Sequence, residues 1–207
     1  MPDEERLWGG RTLEARRAER FDRLLDAGTE LLGTGGASAV TVRAVCRASR
    51  LSERYFYESF TDREELLIAV HDAVSERARD VIADAVLEAG PDPRDLARAG
   101  LSAFTAFLEE DRRRGRILLA EPFSDATLVR HGVNTVPSFA ALLGVQIVAA
   151  FGAGVDEVDA RLTSVALVGA LAHLYLGWLN GTIDVSSERM VAHATELILN
   201  AAPTSSS

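Results

Sequence analysis

Residues 41–67, TVRAVCRASRLSERYFYESFTDREELL, hold the side chains of this chain best suited to chemistry. Arg43 and Arg54 each carry a guanidinium fork that can take both acceptors of a guanine edge. Tyr55 can meet a thymine methyl or donate a hydrogen bond, and Glu53 can accept from the cytosine amino group. Thr41, Tyr57 and Arg63, with Arg50 and Ser52 beside them, offer the hydroxyls and charge that contact phosphate and fix register. The chemistry is recognition without bond-making, and the object that fits it is a DNA major groove.

Such side chains work only if short helices hold them outward. Thr41 can cap a helix through its hydroxyl, and Val42, Val45, Cys46 and Ser49 then repeat on its inward face. Arg50-Leu51 breaks the run, Ser52 offers a second cap, and Leu51, Phe56 and Phe60 turn back to the same core. Upstream, Phe21, Leu24, Leu25, Gly28, Leu31 and Leu32 mark a first helix ended by Gly33-Thr34-Gly35-Gly36. Downstream, Thr61 and Glu64 read as a capping box for a fourth helix. Asp92-Pro93 opens a fifth, and Arg116–Ala120 reads as a short sixth before Pro122. A seventh spans about Leu128–Phe151 with Pro137 kinking it. Asp156 caps an eighth, running to about Asn180, and Ser186 or Ser187 caps a ninth. Without a convincing strand, the reading is all-α with about nine helices. A three-helix helix-turn-helix domain covers 13–62 and a helical bundle covers 63–202, the part that the family resemblance described next implies is for ligand binding and dimerisation. Residues 1–12 and 203–207 read as flexible tails.

The segment LLDAGTELLGTGGASAVTVRAVCRASRLSERYFYESFTDREELL resembles the DNA-binding domain of the TetR/AcrR family of transcriptional regulators. The likeness rests on Leu25, Asp26, Ala27, Glu30, Leu31, Leu32, Thr41, Val42, Val45, Ser52, Tyr57, Phe60, Glu65, Leu66 and Leu67. It departs from the family at Arg50, where a turn glycine is common, and at Arg54-Tyr55, which replaces a small pair. The resemblance places Thr41, Tyr57 and Arg63 at positions that commonly touch the DNA backbone. It implies a homodimeric regulator, most often a repressor, released from a palindromic operator by a small, largely apolar effector. The alternatives are a helical small-molecule carrier or a constitutive DNA-binding regulator.

Charge patterning agrees with a DNA-binding head. The chain has a net charge of −9 and all 22 of its basic residues are arginine. Residues 6–63 nevertheless hold 11 arginines against 8 acids, whereas 64–207 hold 11 against 20. The single Cys46 excludes an internal disulfide and reads as a buried thiol. No secretory h-region opens the chain, and the apolar run Val165–Leu179 is short for a bilayer; a cytoplasmic protein is expected. Catalytic and nucleotide-binding motifs are absent, so neither an enzyme nor a cofactor is expected. His71, His131, His173 and His193 are too far apart for a local metal motif.

In the bundle, Phe104, Phe107, Phe123, Phe139, Leu142, Leu143 and Tyr175 could line an apolar effector pocket. His131, Asn134, Gln146, His173 and Trp178 could supply its polar handles. The small and apolar residues of the eighth helix, Val165, Val168, Gly169 and Ala172, suit a dimer interface with the stripe Met190, Ala194 and Leu197 of the ninth.

Overall fold

The computed structural model describes residues 12–132, 137–141 and 156–201. Among these, every regular element is helical. The head comprises α1 (Leu13–Gly35), α2 (Val42–Ser49) and α3 (Glu53–Tyr57), with a 3-10 turn at Ala37–Ala39. The long α4 (Arg63–Glu88) leads into α5 (Pro93–Glu110) and the short α6 (Arg112–Gly115). Residues 126–132 form α7, and residues 137–141 are also helical. The chain finishes with α8 (Glu157–Leu179) and α9 (Ser187–Asn200).

The helix starts follow from local chemistry. Thr12, Thr41, Asp92, Asp156 and Ser186 each accept a hydrogen bond from a backbone N–H of the turn they open, relieving a free donor. The start of α4 differs from the expected capping box. Asp62 is the cap, accepting from Glu65 N at 2.8 Å, and Glu65 reaches back to the Thr61 N–H and hydroxyl. Both devices satisfy the same donors, shifted by one residue. Arg116–Ala120 is a wide π-type turn and not an ordinary helix. Pro122 has no N–H to give the carbonyl four residues earlier, so the regular ladder cannot run through. Of the expected seventh helix, residues 133–136 and 142–151 lie outside the described residues.

One apolar core runs from head to body. Leu24, Leu32, Val40, Val45, Phe56, Leu66, Leu67 and Val70 are at most 1% exposed. Gly28 lets α1 and α4 cross closely, since a Cβ there would stand 2.9 Å from Val70 Cγ2 and 3.2 Å from Leu66 Cδ1. In the body, α5 packs between α4 and α9. The Thr105 and Tyr175 hydroxyls, 2.7 Å apart, join α5 to α8 in a buried hydrogen bond.

Polar contacts also stitch the body to the head. Glu121, 5% exposed, accepts from Ala37 N at 3.0 Å and from Arg116 Nε at 2.9 Å. Arg116 in turn donates to the Thr34 carbonyl at 3.1 Å. Arg113 pairs with Asp111 and with Glu30 of α1, and the Arg114 guanidinium lies 4.2 Å over the Phe107 ring. This arginine run is structural and not a freely solvated helix end.

Candidate nucleic-acid interface

The turn between α2 and α3 sets the reading surface. Arg50 ends α2 at φ 55° and ψ 39°, the left-handed region that glycine occupies without steric cost. Leu51 N donates back to Cys46 O at 3.0 Å, so the chain reverses despite the bulky residue. Arg50→Gly is expected to raise stability by about 1 kcal/mol, read as a higher midpoint in urea denaturation.

Helix α3 is five residues long, too short to persist alone. Phe56, fully buried, anchors it. Its ring lies 5.7 Å from that of Phe60, which stacks on Phe21 of α1 at 5.0 Å. Arg23 of α1 donates to the Ser49 carbonyl and fixes the end of α2. These contacts leave one face of α3 outside.

That face carries Glu53, Arg54, Tyr55 and Tyr57, and Arg43 stands beside it on α2. The Arg43 and Arg54 side chains are 93% and 84% exposed. Arg43 stands 3.9 Å from Glu53, and Arg54 lies 3.1 Å from Glu58. Exposed ion pairs of this kind are weak, so both guanidiniums are free to change partner. Tyr57 is exposed. Tyr55 is also exposed, with the Arg20 guanidinium 4.6 Å over one face of its ring and the Arg20 tip 3.6 Å from Glu58. Arg20 therefore belongs to the α1–α3 surface. Thr41 and Ser52 are exposed at the starts of α2 and α3. Thr41 Oγ1 is engaged by Ala44 N at 3.2 Å, and Ser52 makes no side-chain cap bond.

Arg63 departs from the expected phosphate contact. Its Nε and Nη2 donate to the Val40 and Ala37 carbonyls, both at 2.6 Å, and it stands 3.7 Å from Asp125. Its side chain is only 26% exposed. The sequence shows an arginine at a helix start but not the carbonyls folded against it. Arg63→Ala is expected to cost about 1.5–3 kcal/mol, the range for hydrogen bonds to a charged group. Thermal denaturation checks this.

Cys46 is buried, and burial pushes its thiol pKa up, away from redox reactivity. His71 and His131, distant in sequence, come together with Asp72 between α4 and α7. Spacing along the chain gave no sign of this cluster.

The expected pocket residues that are described make several contacts. Phe104 meets Tyr175 edge-on at 5.2 Å, and Tyr175 lies 6.1 Å from Trp178. Trp178 donates to the Val185 carbonyl at 3.0 Å. Phe107 is buried under Arg114, Phe139 lies near Arg79, and His131 faces Asp72. Phe123 and His173 are exposed and lie 6.3 Å apart. Asn134, Leu142, Leu143 and Gln146 lie outside the described residues.

The expected dimer residues divide by helix. On α8, Val165 and Gly169 are exposed and Val168 and Ala172 half-buried. On α9, Met190 and Ala194 are buried within the subunit, where α9 packs on α5, and Leu197 is half-buried. That stripe is internal packing, and a partner meeting α9 would need another face. Among the described residues, α8 is the helix long and apolar enough to cross a membrane; it exceeds the run Val165–Leu179 because it begins at Glu157. Its exposed apolar face, with Val158, Leu162 and Val165, calls for cover.

Two short helices joined at a left-handed turn, with α3 exposed and braced by α1, define a helix-turn-helix protein. Residues 24–70 match the family described as bacterial regulatory proteins, tetR family. Over most of its length the chain shares the fold of several solved structures. It is similar to the fatty acid degradation regulator FadR from Bacillus halodurans, with 19% identity, TM-score 0.73, and coverage of 87% of this chain and 94% of that one. It is similar to a TetR-like transcriptional regulator from Rhodococcus sp. RHA1, with 19% identity, TM-score 0.68, and coverage of 88% and 95%. The transcriptional regulator FadR from Bacillus subtilis, solved in complex with stearoyl-CoA, matches with 13% identity, TM-score 0.72, and coverage of 87% and 98%. No curated protein sequence matches the chain.

Proposed function

We propose that this protein is a homodimeric, cytoplasmic repressor that leaves a palindromic operator when a small, largely apolar effector binds its helical body. The observation that carries the reading is the outward presentation of Arg43, Arg54 and Tyr57 on a tetR-family helix-turn-helix. A reading helix of five residues spans few base pairs, so two heads on successive groove faces supply the specificity. The exposed apolar face of α8 suits the subunit contact, and the effector reading rests on the fold shared with a relative solved with stearoyl-CoA. An effector acts by preferring a body conformation in which the heads no longer match the operator, and α4 reaches both parts. A constitutive regulator is the alternative, and a body ligand that leaves operator affinity unchanged would favour it.

Selection from a random DNA pool should return a two-fold symmetric site, bound with an affinity that falls steeply as salt rises. Arg54→Ala is expected to lose about 1–3 kcal/mol of discrimination at one position per half-site. Tyr57→Phe should weaken all sequences by a similar factor. Salt-insensitive binding, or the same pattern from both variants, contradicts the assignment.

A further inference from the structure

His71 of α4 is 2% exposed, and its Nδ1 is buried with no hydrogen-bond partner. A buried polar atom in that state costs free energy unless something meets it. Three groups converge there. The His131 ring stands edge-on to His71 with centroids 5.6 Å apart. His131 Nε2 is 2.5 Å from Asp72 Oδ1, and the same oxygen is 3.7 Å from His71 Nδ1. One ligand atom from each residue lies within 4.8 Å of the other two.

We propose that His71, Asp72 and His131 form a binding site for a divalent transition-metal ion, with zinc as its simplest occupant. Two imidazoles and one carboxylate are a donor set that suits such ions, and Asp72 and His131 reach the surface, leaving room for a further ligand or water. Zinc at about 2.0–2.1 Å from each donor sets tetrahedral donors roughly 3.3 Å apart. The His71–Asp72 spacing of 3.7 Å is slightly wider than this and the His131–Asp72 spacing of 2.5 Å narrower, so the side chains readjust on binding. The His131–Asp72 hydrogen bond alone leaves the His71 nitrogen orphaned, whereas an ion satisfies all three groups. The site would join α4 to α7 of the body.

The test is zinc titration of the full-length, tag-free chain after removal of metal with a chelator. Cobalt serves as a spectroscopic probe, and circular dichroism verifies the fold of each variant. The chain should bind one ion per subunit, melt at a higher temperature with zinc, and give a cobalt spectrum showing nitrogen and oxygen ligands. His131→Ala and Asp72→Asn lie at the open side of the site and spare the buried ring. Each should weaken binding at least the roughly 100-fold that outer-shell changes can reach. Absence of stoichiometric binding overturns the proposal. So does wild-type affinity in both folded variants, which would put the ion elsewhere, for example at His173 or His193. Neither result bears on operator binding, which is measured separately.

Discussion

Phe56→Ala is expected to unfold the reading surface, costing about 3–5 kcal/mol and abolishing operator binding together. The ring is fully buried and meets Phe60, and Phe60 in turn stacks on Phe21. Nothing else on α3 is buried, so a helix of five residues has no second anchor. The loss is a large part of the 5–15 kcal/mol that holds a typical domain together. Denaturant titration reads the stability and a mobility-shift assay reads DNA binding. Phe56→Leu fills much of the cavity and should retain part of both. A variant that melts normally yet loses DNA, or keeps DNA while losing stability, would separate what this packing joins.

Gly169→Arg is expected to give a single-subunit mass in solution and an operator affinity lower by about 10²–10⁴-fold, the scale on which linked binding exceeds single binding. Gly169 is exposed on α8, and a Cβ added there would meet nothing within 4 Å in its own subunit. The substitution should therefore leave the fold of one chain intact. It places a charge where small and apolar residues invite close approach of a second helix. Light scattering and melting temperature together decide the matter. An unchanged dimer mass would move the subunit contact away from α8.

Legibility tracked the range of the interactions. Thr41, Asp92, Asp156 and Ser186 act on N–H groups two or three residues away, so their capping was readable from the chain alone. The tight reversal at Arg50 was readable for the same reason, and its backbone lies in the region that usually falls to glycine. Asp62 and Thr61 are adjacent and compete for the same donors, which is why the α4 cap was placed one residue early. Arg63 could not be read, because its partners at Ala37, Val40 and Asp125 are brought to it only by folding. The Met190–Ala194 stripe has the same period whether it faces α5 or a partner subunit, so the pattern alone could not choose. His71 and His131 meet only because α4 and α7 pack together. An effector pocket has no local signature in sequence, since apolar residues that line a cavity and those that fill a core repeat alike.

A boundary drawn after residue 62 would cut through one shared core. Leu66, Leu67 and Val70 belong to α4, yet they are fully buried in the core that contains Leu24 and Phe56. Gly28 of α1 is shaped to receive two of them. A fragment cut at that boundary would lack its own keystone. Limited proteolysis should therefore spare the stretch from α1 through the first turns of α4 as one resistant piece, and the smallest head able to fold should extend past Val70.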